Sequence, residues 1–442
     1  MKKQSYLITA CQSNAHLNKQ VYNTLLNYQK INHIKSLKII KLRGKVRAEQ
    51  RIPRGLNSKD IMEGDLKLNN NIKISDYKIR PNQIRPFTGL DSFAKADSSF
   101  IFGSPKQYFM TVPTLTSKHC KTMATTGVIT DPRYNSNFDR INAIARKDHR
   151  FGAIRVDIED SNIYYQRTLA FQTNGKMIDL CMLYDGTNKP KRIKLPGIVW
   201  GDIHLGDHNL IAYQASKNMV QEFEPGKLIV HDFFNGHSVN HHQKDDLVSL
   251  VQRHHKGRDS LEEEVRICAN ELKVIADLNP STTVYIVDSN HNDFLKRYLT
   301  EGRFMKDPQN AYFSSKILTK AFDGSNPLEV AINEFIEIPS NVKFTKPGES
   351  VKIGAYECGQ HGHKGTNGSR GSKAAYAKNE PKSVKAHSHE PGSIRDAHTV
   401  GTNTDLVLDY NKGGYSSWMQ SNMLVYTRNV QALYLINGKY RL

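Results

Sequence analysis

Hydrophobic residues come in short blocks whose spacing switches between the two-residue period of a strand and the three-to-four-residue period of a helix. An apolar run at 6–10, a helical face of Leu17, Val21 and Leu25 behind a Ser13 cap, and a second run at 37–42 predict a strand–helix–strand opening. Residues 53–86, interrupted by Pro53, Asn69-Asn70-Asn71, Pro81 and Pro86, read as long loops or edge structure. Short apolar runs return at 100–102, 108–112, 127–130 and 152–158, so residues 1–192 are expected to form an α/β or α+β domain.

The polar, breaker-rich stretch 185–192, closed by Pro196-Gly197, marks the expected domain junction. Beyond it, runs at 198–200, 228–230 and 284–287 predict buried strands separated by helices at 212–223 and 261–276. The second helix starts at a capping pair, Ser260 and Glu263, and stops before Pro280. Further strands are expected at 351–358 and 384–386. Such alternation predicts a sheet covered by helices over 197–442. No internal repeat of solenoid period is visible.

Charge adds a division of labour. Residues 1–195 hold 34 Lys and Arg against 15 Asp and Glu, while the remainder balances 28 against 28, so the whole net charge of +19 lies upstream. A basic region of this size attracts polyanions by releasing counterions, which makes nucleic acid the expected partner. Histidines divide the other way, with 14 of 18 between His204 and His398. No apolar run reaches the roughly 18 residues of a membrane span, and the run at 6–11 is too short for a secretory signal, so a cytoplasmic location is expected. Five scattered cysteines with no C-x-x-C spacing read as reduced thiols.

The histidines gather at the ends of predicted strands. After 198–200 comes Asp202-x-His204, two residues apart and therefore on one side of an extended chain. The next endings are His231-Asp232 with Asn235, then Asp288-Ser289-Asn290-His291, then His361-Gly-His363, then His387-Ser-His389. Ligands in open α/β sheets collect at such strand ends. Carboxylates, an amide and imidazoles without thiolates suit borderline-hard divalent ions and disfavour a closed structural zinc site.

In order, these segments resemble the calcineurin-like metallophosphoesterases, whose Asp-x-His, Gly-Asp-x-x-Asp, Gly-Asn-His-Asp, lone His and Gly-His-x-His motifs recur in altered form over 197–405. The resemblance implies a four-layer αββα arrangement, a β-sandwich flanked by helices, and a pair of divalent metal ions. Mn2+ is the expected metal, with Mg2+, Fe2+ and Zn2+ as alternatives. It further implies that Asp202, His204 and His389 hold the first ion, that Asp232 bridges, and that Asn290, His361 and His387 hold the second. His291 would be the catalytic non-ligand beside the leaving oxygen. His231 and Ser289 stand where the family keeps Gly, Asn235 and Asn292 where it keeps Asp, and Ala386 where it keeps Gly; no expected ligand is lost. His361 and His363 both qualify as the lone His, and the Gly that follows His361 favours it, as in phage-type members. Lys364, Arg370 and Lys373, in the adjoining Gly- and Ser-rich loop, are expected phosphodiester contacts. Asp207 and His208 are expected to support the ligands or face water, and His241, His242, His254 and His255 to lie at the surface.

The resemblance extends to the SbcD-like repair-nuclease branch and to phage DNA-degrading enzymes, which implies a metal-dependent DNA nuclease, in host cytoplasm if phage-encoded. A metal-activated water would attack the scissile phosphate. A phosphatase or small-molecule phosphodiesterase is the first alternative, and a catalytically inactive DNA-binding protein on the same scaffold the second. In the repair nucleases the nuclease domain comes first, whereas here a basic segment precedes it. Self-association is left open.

Overall fold

A computed structural model describes residues 3–42, 51–96, 98–115, 120–134, 139–187, 189–380, 382–408 and 411–440. Residues 1, 2 and 188, which fall within the expected N-terminal domain and junction, lie outside this set. The fold is mixed α/β, with sheets of seven, six and ten strands among the described residues. Among the described residues no helix is long and apolar enough to cross a membrane.

The six-stranded sheet positions most of the candidate ligands. Its order is Val342–Phe344, Thr283–Ile286, Lys227–Val230, Gly197–Val199, Ser421–Val425 and Val430–Tyr434. The first four strands are parallel, so their C-terminal ends share one edge, and the last two are antiparallel. Alternation decides the two faces. Ile198, Leu228, Val230, Val284 and Ile286 pack against helices Leu210–Phe223 and Leu261–Asp277, while Val199, Ile229, Met423 and Val425 meet Ile353, Tyr356, Val384 and Ala386 of the ten-stranded sheet. Three further helices, Asp293–Thr300, Ala311–Lys320 and Pro327–Ile332, follow the Thr283–Ile286 strand, where no separate helix was anticipated.

Helix starts carry their caps in sequence. Ser260 accepts from the Glu263 N–H at 3.2 Å, and Glu262, Glu263 and Glu264 load the first turn with the charge that the helix dipole favours. The first helix departs from expectation: Lys19–Ile31 is capped by Asn18, which accepts from Val21 N–H, because the Ser13 hydroxyl donates instead to Leu42 O at 2.6 Å. The anticipated strand at 351–358 is a short hairpin, Lys352–Ile353 and Tyr356–Glu357, turned at Gly354 with φ of +56°.

The two halves of the chain repeat one another. Gln4–Gln12 runs parallel to Ser36–Leu42 through helix Lys19–Ile31 and antiparallel to Phe151–Ile158, which pairs with Tyr164–Phe171. Gly197–Val199, helix Leu210–Phe223, Lys227–Val230, Ser421–Val425 and Val430–Tyr434 make the same pattern. In the ten-stranded sheet, Ile72–Ser75, Ser99–Phe102 and Lys121–Thr125 are parallel neighbours and the last lies antiparallel to Phe109–Val112. Tyr356–Glu357, Ser383–Lys385, Ala397–Thr399 and Gly392–Ile394 match them strand for strand.

The match extends to register and caps. Ladder partners Tyr6 and Ser36, advanced by 191 positions, become Gly197 and Lys227, which are also partners. Asn18 caps its helix and donates to Asp131, and Asn209, again 191 later, caps the corresponding helix and donates to Asp405. Both helices end on a left-handed residue at the same offset, His33 and Glu224. The copies join edge to edge, Phe109 and Met110 pairing with Ser393 and Gly392, so the ten-stranded sheet crosses the 185–197 segment. Tyr434 stacks on Phe109 at 4.6 Å over this seam.

Candidate metal centre

The candidate ligands sit on backbone turns just past the strand ends. Gly201 follows the first strand of the second copy because a Cβ there would meet Gly401 O, Ser421 O and Thr402 N at 2.8 Å. Asn422 accepts from Gly201 N–H at 2.9 Å and Asn403 donates to Gly201 O at 3.0 Å, so the buried turn keeps its hydrogen bonds. Four site residues, His204, Asp232, His387 and His389, sit at positive φ, between +44° and +72°. Non-glycine residues rarely adopt this region, and its concentration here marks a constrained site.

Asp202, His204, Asp232 and His389 are buried, with one ligand-type atom from each inside a cluster no wider than 4.8 Å. His389 Nε2 stands 3.2 Å from Asp202 Oδ2, His204 Nε2 3.4 Å from Asp232 Oδ2, and the two imidazole Nε2 atoms are 3.1 Å apart. His361 extends the group, with Nε2 at 3.3 Å from Asp232 Oδ2 and Nδ1 at 3.8 Å from Asp202 Oδ1. His387 donates its backbone N–H to Asp202 Oδ2 at 2.9 Å, and its ring lies 5.1 Å from that of His361. Asn290 keeps its Oδ1 buried without a hydrogen-bond partner.

Orphaned polar atoms accumulate here. Asp202 Oδ1, Asp232 Oδ1, both nitrogens of His361 and Nδ1 of His389 are buried with no hydrogen bond, as are both nitrogens of His231 and of His363. Each such atom costs about 1–3 kcal/mol when left unsatisfied, so a cluster of them needs a common partner. Two buried carboxylates and several imidazole lone pairs fit a divalent cation.

The electrostatics agree. Burial pushes the Asp232 carboxyl up, but the neighbouring imidazoles, His361 foremost, outweigh it and hold the group well below the usual carboxylate range. Asp202 is likewise held down against burial by the His389 hydrogen bond and the His361 charge. Burial pushes His204 and His231 down to about 3 and His387 to about 4, leaving neutral imidazoles, the form that binds metal. Burial also opposes charge on His361, yet Asp232 and Asp202 overcome it and raise its affinity for a proton. Positive charge is therefore wanted between the two carboxylates.

His291 is held differently. Its Nδ1 lies 2.8 Å from Asn235 O, and a carbonyl can only accept, so Nδ1 carries a proton and donates it to that bond. The ring meets His204 edge-on at 4.3 Å and stacks on Phe294 at 4.6 Å. Asp207 serves as a hub for Asn235 at 2.9 Å, His237 at 2.9 Å and Arg258 at 2.9 Å, with no ligand atom in the cluster. His208 meets Tyr213 edge-on, and His254 is exposed. His241 packs on Phe294.

The loop cations separate by environment. Lys364 and Arg370 are exposed and face each other across a backbone bridge, and the Lys364 charge offsets part of the burial that raises the Asp288 carboxyl. Lys373 pairs with Glu390 at 3.7 Å. Sequence reasoning missed Trp418, whose ring packs edge-on to His389 at 4.2 Å, and the His237 and Arg258 that hold Asp207 beneath Asn235. None of these has a local signal, because each comes from a segment distant in sequence.

The first copy lacks this centre. At the 191-residue offset, Asp202, His204 and Asp232 correspond to Cys11, Ser13 and Lys41. Where the second copy turns at positive φ on Asp232, the first continues in strand, with Lys41 the ladder partner of Cys11. Its counterpart of the 386–391 loop, Gly103-Ser104-Pro105-Lys106-Gln107, holds no histidine.

No protein-family model matches the chain, and no solved structure matches it. Protein A1 of Escherichia phage T5 is 27% identical to it over 388 residues, which cover 83% of this chain and 68% of that protein. A match of that extent takes in residues of both copies.

Proposed function

We propose that the protein is a divalent-metal-dependent phosphodiesterase of the calcineurin-like metallophosphoesterase type, acting as a DNA nuclease. One observation carries the reading: Asp202, His204, Asp232 and His389 converge, buried, from separate strand ends, with His361 set against Asp232. The facing sheets with helices outside agree with the layers that family uses, and the likeness to a phage protein suits action in a host cytoplasm.

Asp202, His204 and His389 would hold one ion, Asp232 would be shared, and Asn290, His361 and His387 would hold a second. When bound, a divalent pair neutralises phosphate charge and lowers the pKa of coordinated water; Mn2+ is the proposed metal. The chain supplies the remainder. Its left-handed turns fix ligand directions before substrate arrives, and His204 and His387, kept neutral by burial, need release no proton. His291, with Nδ1 tied to Asn235 O, offers Nε2 to the leaving oxygen and, once protonated, donates a proton there. The basic first copy would attract the polyanion.

The test is to incubate purified protein and Mn2+ with linear, circular and single-stranded DNA and with a chromogenic small diester, then repeat with Asp232→Ala and His291→Ala. DNA cleavage lost in both variants is expected. Turnover of the small ester with DNA intact would assign a phosphatase or small-molecule phosphodiesterase instead, and DNA binding without any product would assign an inactive binding protein.

A further inference from the structure

A groove of about 1090 Å3 lies on the face of the ten-stranded sheet turned away from the other two sheets, over the seam between the copies. Ile84, Phe87, Met110 and Ile394 give it an apolar floor. Its walls carry five cations. Two are already neutralised, Arg395 by Asp148 at 3.1 Å and Lys373 by Glu390 at 3.7 Å. The other three, Arg85, Arg140 and Lys378, are exposed and make no ion pair among the described residues.

One wall of the groove adjoins a candidate ligand in sequence. Glu390, on its wall, directly follows His389, and the Lys373 that pairs with it begins the helix Lys373–Asn379 lining one side. We propose that this groove takes a single strand of nucleic acid leading to the metal centre, with Arg85, Arg140 and Lys378 on its phosphates and the apolar floor under its bases. The assignment rests on the nuclease reading of the centre.

Chemistry selects the occupant. A duplex hides its base faces and presents phosphates, so an apolar floor gains nothing from it; an unpaired strand presents both, and exposed bases settle on apolar and aromatic surfaces between cationic walls. The first copy supplies Arg85 and Arg140 and the second supplies Lys378, so the copy without ligands completes the substrate path of the one that has them. Neither copy forms the groove alone.

The experiment uses the full chain in EDTA, with a fluorescein-labelled 20-nucleotide single strand and the duplex of the same sequence, over a series of NaCl concentrations. The variant Arg85→Ala/Arg140→Ala/Lys378→Ala should bind the single strand about tenfold or more weakly at low salt. Its slope of log affinity against log salt should be shallower by about 2, since three phosphate contacts contribute roughly 0.7 each. Hydrolysis of the chromogenic diester with Mn2+ should be unchanged, because none of the three touches the cluster. Unaltered affinity and slope would overturn the groove while leaving the nuclease reading intact, as would a duplex bound as tightly and weakened as much. The expected loss of binding in a protein that hydrolyses no phosphodiester would uphold the groove and remove the nuclease reading.

Discussion

The backbone N–H of His387 donates to the carboxylate of Asp202 at 2.9 Å, although the two residues are 185 positions apart. Through this bond the ten-stranded sheet orients a carboxylate from the six-stranded sheet before any cation binds. Asp202→Asn keeps an acceptor for that N–H and removes the negative charge. Such a variant should fold with a circular dichroism spectrum like the parent's and lose metal affinity by calorimetry.

Metal should stabilise the protein through the same cluster. A ligand bound only by the folded state adds about 2.7 kcal/mol at a hundredfold excess over its Kd. Mn2+ at that level should raise Tm for the parent chain and leave that of Asp232→Ala unmoved, with EDTA reversing the gain. Equal shifts in both would place the ion elsewhere.

His291→Ala should leave Mn2+ affinity within about threefold of the parent and reduce turnover by about 10²–10⁴, the usual contribution of a positioned acid or base. A matching loss of metal affinity would make His291 a ligand.

Between the copies, Asp179 accepts from Arg167 at 3.0 Å, Tyr28 at 2.6 Å and Gln431 at 2.8 Å. Burial opposes charge on Asp179, but the Arg167 guanidinium overcomes it and holds the carboxyl down. Asp179→Ala strands a buried guanidinium, for which Asp157 at 3.7 Å compensates only in part. A loss of about 3 kcal/mol in urea unfolding is expected, at the lower end of the cost of breaking a buried pair.

Acid should weaken the fold through His149. Its Nε2 faces Thr130 O and its Nδ1 accepts from Tyr134 OH, both at 3.0 Å, so the neutral ring is fully bonded. Burial pushes it down to about 4 from an ordinary 6.5. Because the unfolded chain takes up a proton first, this contribution is complete above pH 6.5 and declines as pH falls toward 4, by about 3 kcal/mol in all. His149→Gln should flatten the pH dependence of stability across that window by the same amount.

How far the chain could be read without its fold depended on distance along it. The strand-end groups Asp202-x-His204, His231-Asp232 and His387-Ser-His389 are local patterns, and Asp202, His204, Asp232 and His389 from them lie together, on left-handed turns that the spacing did not foretell. The repeat escaped detection. Between residues 4–42 and 195–233 the identical pairs are Asn18/Asn209, Tyr22/Tyr213, Asn27/Asn218 and Leu37/Leu228, because a buried strand asks only for apolar side chains on the covered faces and many sequences satisfy it. A cap asks for one residue type, and both asparagine caps are among the four.

Composition, charge division and the order of ligand-type residues were thus properties of the chain itself, set by neighbours within a few positions. How closely the candidate ligands approach one another, which cations stay unpaired, and that Trp418 packs on His389 were decided only when sheets brought remote segments together. Side-chain chemistry travels with the sequence, whereas distance and burial, which turn that chemistry into a site, arise from packing.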